Sequence, residues 1–259
     1  MGTATISSWK TAMGAAADAV RAIGLFPGIC ALLFAIYVFQ GAVSERLERP
    51  GTTETEILGI SVLLLVSFVA IVALTIPLLR TYAGGTTDLT PRLVLRMLGW
   101  MAALLVAAIV CVALVFGILA AITLTFGDVH TISVTHWSVV LLLIPAAWLA
   151  FRLTTLWPAL ALDEAAPLLR RSFRETKGYV WHFLLTGICS LVVFVPLMIV
   201  SGLVAYLVVG TFYVAGTPQQ LSLGAELTIG AFNGAIGLFS VLYACALYGR
   251  FFRTVRGLG

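Results

Sequence analysis

The sequence predicts an all-α membrane protein, a single domain over residues 1–259 with six transmembrane helices in three hairpins and short amphipathic cytoplasmic helices. Hydrophobic residues fill 61% of the 259 positions and charged residues only 10%, and the mean hydropathy is +1.09. A soluble domain carries about 25% charged residues, so this chain has too few to cover a surface that faces water. A disordered chain, a nucleic-acid-binding protein and a disulfide-rich secreted domain are excluded, because each needs more polar surface, basic charge or cysteine.

The helices were placed by length and hydropathy. A transmembrane helix needs about 20 mostly apolar residues, because it rises about 1.5 Å per residue across about 30 Å of hydrocarbon. Six stretches qualify: 22–43, 57–79, 97–126, 137–156, 180–214 and 225–249. Four of them contain a proline that we expect to kink the helix: Pro27, Pro77, Pro145 and Pro196. The fifth is longer than the bilayer requires, so we expect a bend near Pro196 or Gly202, or a projecting end.

The first 21 residues differ from the span that follows. Apolar residues recur at helical spacing from Ile6 to Val20, while Lys10, Asp18 and Arg21 fall on other faces. This pattern predicts an amphipathic helix at the membrane interface. The alternatives are a frayed tail and a signal peptide, although the apolar run after Arg21 is too long for a typical signal core.

The basic residues fall on one side of the predicted spans. Twelve of the fifteen Lys and Arg residues lie before the first span, in the second and fourth connections or after the last span, whereas Arg46 and Arg49 lie in the first connection. Arg152 lies within the fourth span. Basic connections stay in the cytoplasm, so both termini are predicted to be cytoplasmic.

The residues that usually carry enzyme chemistry are scattered. No zinc-binding or HExxH spacing, serine nucleophile motif, P-loop or dinucleotide fingerprint is present in the sequence. We therefore predict no catalytic residues, no metal and no cofactor. The cysteines are expected to be free thiols in apolar packing and the histidines to be structural: Cys30, Cys111, Cys189 and Cys245, and His130, His136 and His182.

The most informative segment runs from residue 152 to residue 181. The acidic pair Asp163 and Glu164 suits the N-terminal end of a helix, and Arg174 and Lys177 suit its C-terminal end. The charge pattern therefore predicts a short helix on the cytoplasmic face. The residues that define the segment are Arg152, Pro158, Asp163, Glu164, Arg170, Arg171, Ser172, Arg174, Thr176, Lys177, Gly178 and Trp181.

On these residues the chain resembles the membrane-domain family of glycerophosphoryl diester phosphodiesterases and related uncharacterised six-span bacterial inner-membrane proteins. The resemblance covers about 30 residues, beginning with Arg152 and Pro158 and ending at Trp181, together with the six-span layout. It implies a bacterial plasma-membrane protein of poorly defined function, from a family in which some members attach the membrane portion to a separate soluble phosphodiesterase domain. The sequence ends soon after the last span, so we do not expect it to hydrolyse glycerophosphodiesters.

Two functional hypotheses follow from the sequence. In the first, a non-catalytic membrane module binds anionic lipid headgroups or a protein partner through basic residues: Arg152, Arg170, Arg171, Arg174 and Lys177. In the second, three hairpins surround the central cavity of a transporter or lipid translocator. A glycine face at Gly230, Gly234 and Gly237 permits close helix packing, within the monomer or in a homodimer.

Overall fold

The computed structural model describes residues 8–47, 53–126, 148–149, 151–164, 168–209 and 223–258. Within these ranges every secondary-structure element that has a range is an α-helix and no strand occurs, which confirms the predicted all-α class. The helices are α1 (Ser8–Leu25), α2 (Pro27–Leu47), α3 (Glu54–Ala83), α4 (Pro91–Phe126), α5 (Leu156–Ala161), α6 (Leu168–Glu175), α7 (Val180–Val209) and α8 (Leu223–Val255).

Three stretches of the described helices are long and apolar enough to cross a membrane: Glu54–Ala83, Val180–Val204 and Thr228–Val255. The pair Ser8–Leu25 and Pro27–Gly41 also passes when taken together, which gives three or four candidate spans rather than the six predicted. The predicted span 97–126 is helical throughout as part of α4 but is not among these candidates. Residues 137–147 of the predicted fourth span lie outside the described residues.

Of the four prolines expected to kink a helix, one begins a described helix and two lie inside described helices. Pro27 is the first residue of α2, where its missing N–H costs no helical hydrogen bond, and α1 and α2 meet there at 104°. The first helix therefore ends at Leu25 rather than at residue 21. It stops there because Phe26 precedes Pro27, and a residue before a proline disfavours helical geometry. Helix α3 continues through Pro77, and α7 continues without a break through Pro196 and Gly202.

The ends of α3 are capped by short-range chemistry. The Thr53 side chain accepts from the Glu56 backbone N–H, while a Glu56 carboxylate oxygen lies 2.9 Å from the Thr53 nitrogen. Such a capping box satisfies two of the free donors at a helix start. At the other end Gly84 adopts a φ of 90°, a conformation that glycine reaches without strain.

Helix α8 is central and contacts α1, α2, α3, α5 and α7. Its glycine face lies against α2: a Cβ atom at Gly234 would meet Val38 Cγ2 at 2.6 Å, and one at Gly237 would meet the Tyr37 ring at 2.8 Å. Small residues permit this close approach of two helices in a membrane. Packing within one chain therefore accounts for the face that also suggested a homodimer.

The helix ends that carry the basic residues meet at one end of the molecule. Ion pairs join α4 to the turn after α5, α8 to α1, and the end of α8 to Glu164 and Glu175. At the same end Ser8 of α1 bonds His182 of α7. We call this region the basic end, and the predicted binding residues belong to it.

Candidate functional site

A ladder of buried hydroxyl groups holds α6 against the turn that precedes α5. The Ser172 hydroxyl donates to the carbonyl of Arg152 at 2.6 Å and lies 2.8 Å from the Thr155 hydroxyl. Because the Ser172 proton is used on the carbonyl, Thr155 is the donor in the second bond. The Thr176 hydroxyl donates to the Ser172 carbonyl at 2.8 Å. These contacts fix which side of α6 faces the protein.

Arg152 points into the protein. Its Nη1 atom donates to the Phe173 carbonyl at 3.2 Å and lies 3.5 Å from Thr176 Oγ1. Its guanidinium carbon lies 5.1 Å from the centre of the Trp148 ring, a cation–π distance. The Arg152 Nε is buried and has no hydrogen-bond partner among the described residues. This predicted binding residue therefore joins α6 to the preceding helical segment.

Asp163 ends α5 in a left-handed conformation, with a φ of 56°. The Asp163 N–H donates to the Leu160 carbonyl, and the Glu164 N–H donates to the Ala159 carbonyl. These two bonds are the Schellman pattern of a helix end. Glycine is usual at this position, but aspartate tolerates it. Here the Asp163 carboxylate accepts from Arg96 Nη1 at 2.6 Å, and the Glu164 carbonyl accepts from Arg96 Nη2 at 2.5 Å.

The prediction that Asp163 and Glu164 open the short cytoplasmic helix was wrong. Helix α6 begins at Leu168 and has no acidic residue in its first turn. The acidic pair instead follows α5, where its carboxylates bind arginines from other helices. The basic half of the prediction is confirmed for Arg174, which lies in the last turn of α6 and complements the helix dipole; Lys177 lies in the turn beyond the helix end.

Six charged side chains form a cluster that joins α4, α6 and α8. Arg171 lies 3.1 Å from Glu164 and 2.8 Å from Glu175. Arg256 binds both carboxylates as well, with its Nε 3.1 Å from Glu175. With the Arg96–Asp163 pair we call this the ion-pair cluster. Every member has a partner of opposite charge, so the cluster neutralises itself.

Arg256 is the most enclosed cation of the cluster, with 13% of its side chain exposed. Burial acts to lower the pKa of its guanidinium, but hydrogen bonds and attraction from Glu164 and Glu175 outweigh burial and raise that pKa overall. The guanidinium carbon also lies 3.9 Å from the centre of the Phe252 ring. Arg256 therefore stays charged and fixed in place.

Three cations of the segment point away from the protein. Arg170, Arg174 and Lys177 are exposed; Arg170 and Arg174 are four residues apart on one side of α6, and Lys177 lies in the turn that follows the helix. None of the three forms an ion pair with a described residue. We call these residues the basic stripe. Its side of α6 is opposite to the buried Leu168 and Ser172.

The remaining motif residues shape the two ends of the segment. Pro158 is buried in the first turn of α5, where a proline is tolerated. Gly178 has a φ of 95° in the connection to α7, which a residue with a Cβ adopts only with strain. Trp181 follows, and 75% of its surface is exposed. An exposed tryptophan beside exposed cations is typical of a membrane–water interface.

Sequence reasoning missed several residues of the site. The sequence indicated no role for Arg96 and Arg256 beyond membrane topology. It indicated no role for Glu175 or Thr155. Arg96 lies 67 residues from Asp163 along the chain, and Arg256 lies 92 residues from Glu164. No local sequence pattern could therefore indicate these ion pairs. Only the spacing of Arg171 and Glu175, four residues apart on one helix, carried a readable signal.

An apolar groove of about 210 Å³ lies between α3, α4, α5 and α8. Among the described residues that line it, Thr75 and Tyr248 carry the hydroxyl groups, and Trp157 and Cys245 also contribute. Among the described residues, no three His, Cys, Asp or Glu side chains are close enough to hold a metal ion. Cys30, Cys189 and Cys245 are free thiols.

Comparison of the chain with protein-family models, with curated proteins and with solved structures finds no match. The resemblance carried by residues 152–181 therefore stays a prediction.

Proposed function

We propose that this protein is a non-catalytic, multi-pass module of a bacterial inner membrane that binds anionic phospholipid headgroups through the basic stripe. The proposal narrows the five predicted binding residues to three. Arg152 and Arg171 are engaged within the protein, whereas Arg170, Arg174 and Lys177 are exposed. The ligand is a phosphate-bearing headgroup in the leaflet next to the basic end.

One observation supports this proposal: the five predicted binding cations divide into two that are bound by other groups of the protein and three that are exposed and form no ion pair with a described residue. Glu164 and Glu175 neutralise Arg171, and Arg152 donates to the Phe173 carbonyl within the protein, so neither arginine is available to a mobile anion. The other three cations have no such competitor among the described residues. Exposed Trp181 and Leu169 lie near them in the sequence, and exposed apolar residues beside cations support a position of this side of α6 at headgroup depth.

The expected strength is moderate. A basic residue near an anionic membrane surface contributes about 1 kcal/mol, so removing two of them should weaken headgroup binding by up to about 30-fold. Arginine adds geometric selectivity because its guanidinium meets a phosphate with two parallel hydrogen bonds. Substitution by lysine should therefore retain part of the affinity.

The test compares two double variants of equal charge. R170Q/R174Q removes two cations of the basic stripe, and R21Q/R92Q removes two exposed cations from α1 and α4 at the same end of the molecule. Both are purified from the same membranes, and the ratio of phosphatidylglycerol to phosphatidylethanolamine that each retains is measured by mass spectrometry. We expect the ratio to fall several-fold in R170Q/R174Q and to stay within twofold of wild type in R21Q/R92Q.

An unchanged ratio in R170Q/R174Q overturns the lipid proposal. If the same variant then loses a soluble protein that wild type retains, the basic stripe serves a protein partner instead. An equal fall in both double variants also contradicts the proposal, because it would mean that any exposed cation at this end suffices.

The transport alternative has less support. A transporter for polar solutes needs polar groups around a central cavity, whereas the groove between α3, α4 and α8 is apolar. The proposal includes six spans, both termini in the cytoplasm and membership of the family that residues 152–181 resemble. Reporter tags at residue 1, residue 128 and residue 259 test the layout: the first and last should report the cytoplasm and the middle one the outside.

A further inference from the structure

Helix α1 presents two different apolar faces. One face consists of alanines that are completely buried: Ala12, Ala15, Ala19 and Ala22. This face packs on α7 and α8, and the small side chains allow close approach. The buried face therefore accounts for the attachment of α1 to the protein.

The second face is exposed and carries larger side chains. Trp9, Met13, Val20 and Ile23 expose 48%, 40%, 60% and 47% of their surface. At 3.6 residues per turn these residues share an arc of about 80° along about 21 Å of helix. We call them the α1 stripe. A contiguous exposed apolar strip of this kind marks a surface that contacts something other than water.

Polar contacts hold α1 in a fixed position at the basic end. Asp18 Oδ2 lies 2.7 Å from Arg250 Nε. The Tyr82 hydroxyl donates to the Asp18 carbonyl at 2.8 Å. The Ser8 hydroxyl lies 2.9 Å from His182 Nδ1. Helix α1 is thus tied to α3, α7 and α8.

The angle between α1 and α2 indicates what covers the α1 stripe. The two helices meet at 104° with one residue between them. If α2 crosses the bilayer, a helix perpendicular to it at its end lies in the plane of the membrane surface. Lys10 and Arg21 are exposed and lie three turns apart on one flank of the stripe. Cations beside an apolar strip are the pattern of a helix that lies in a bilayer interface.

We propose that α1 is an in-plane helix whose stripe lies among the glycerol and upper acyl groups of phospholipids, with Lys10 and Arg21 on the flank that faces water. The occupant of this surface is the phospholipid leaflet next to the basic end. The inference is independent of the basic stripe on α6, because it concerns a different helix and a different, apolar contact. Failure of either proposal leaves the other standing.

The test places one nitroxide label at a time in a cysteine-free full-length chain in phospholipid nanodiscs. Labels at Met13, Val20 and Ile23 report the α1 stripe, and a label at Arg21 is the matched control on the flank. Collision rates with oxygen and with a water-soluble nickel complex give the depth of each label. We expect the stripe positions to share one depth within about 5 Å, since an interfacial helix lies about 5–10 Å into the boundary. The label at residue 21 should contact the nickel complex more often.

Three results would overturn the proposal. A steady change in depth from residue 13 to residue 23, up to about 15 Å at 1.5 Å per residue, would mean that α1 and α2 form one broken span. Nickel contact at 13 and 20 equal to that at 21 would place the stripe in water. Protection from both reagents, with magnetic coupling between chains, would assign the stripe to a second copy of the protein.

A second measurement covers the case in which the cysteine-free chain fails to fold. The photoreactive residue p-benzoylphenylalanine replaces Met13 or Val20 in the chain with its natural cysteines, and Arg21 again serves as the control. We expect phospholipid adducts at 13 and 20, seen as an added lipid mass, and at least fivefold fewer at 21. Equal adducts at all three positions, or none at 13 and 20, contradict an in-plane stripe.

Discussion

Arg256 and Glu164 lie 92 residues apart in the chain and form a two-point ion pair, in which both Nη atoms of the arginine bind the carboxylate. This pair joins the residue directly after α8 to Glu164, which follows the left-handed residue Asp163 at the end of α5. The exposed fractions of the two side chains are only 13% and 20%, so water screens the pair less than it screens a surface ion pair. The pair thus holds two distant parts of the basic end together.

Substitution of Arg256 by glutamine should destabilise the protein. R256Q leaves Glu164 and Glu175 with one arginine, Arg171, so we expect the free energy of unfolding to fall by about 1–3 kcal/mol. E164Q should have a similar effect, and R256Q/E164Q should cost less than the sum of the two because the variants share one interaction. Unfolding in mixed micelles measures all three. D88N, at an exposed site outside the cluster, should change little; strict additivity of R256Q and E164Q would refute the coupling.

Asp163 combines a backbone requirement with a charge, and three variants separate them. D163N keeps tolerance of the left-handed conformation and loses the ion pair with Arg96, which is partly exposed and worth about 0–1 kcal/mol. D163G loses the same pair and has no backbone strain. D163A loses the pair and adds about 1–2 kcal/mol of strain. We expect D163A to have the lowest thermal midpoint of the three; a midpoint equal to that of D163N would show that the φ of 56° imposes no cost.

The hydroxyl ladder should respond unequally to the loss of its members. S172A removes the donor to the Arg152 carbonyl and the acceptor for Thr155, leaving two buried groups unpaired at a cost of about 1–3 kcal/mol. T155V leaves the bond from Ser172 to Arg152 intact and should cost less. The free energies of unfolding of the two variants should therefore differ, with S172A the less stable. The reverse order would mean that Thr155, rather than Ser172, holds α6 in place.

The glycine face of α8 offers a graded series on one helix. A Cβ at Gly230 would lie 3.8 Å from Val38, an ordinary contact, whereas a Cβ at Gly237 would lie 2.8 Å from the Tyr37 ring. G237A should therefore cost about 1–3 kcal/mol through overpacking, and G230A should be tolerated. Thermal unfolding ranks the two, and size-exclusion chromatography with light scattering gives their oligomeric state. A loss of dimer in G237A without a loss of stability would assign the face to a second copy instead of α2.

Sequence patterns predicted the helices well where the signal is local. The predicted span 57–79 lies within α3, and the predicted span 225–249 lies within α8; hydropathy identified both, because burial in lipid is a property of consecutive residues. The prediction for Asp163 and Glu164 failed since the helix dipole favours acidic residues by only about 0.3–1 kcal/mol. Glu164 instead forms the more enclosed, two-point pair with Arg256, and Asp163 adopts the left-handed conformation that ends α5.

Hydropathy and charge along the chain predict that it is helical and apolar, with its basic residues grouped at the ends of helices, because both quantities add up over consecutive residues. Which arginines form ion pairs and which do not depends on contacts between distant parts of the fold. Arg171 and Arg174 are three residues apart on α6 and both are exposed, yet the first is bound by two glutamates and the second forms no ion pair with a described residue. An ion pair depends on distance in space, and the carboxylates that select among these arginines come from several parts of the fold.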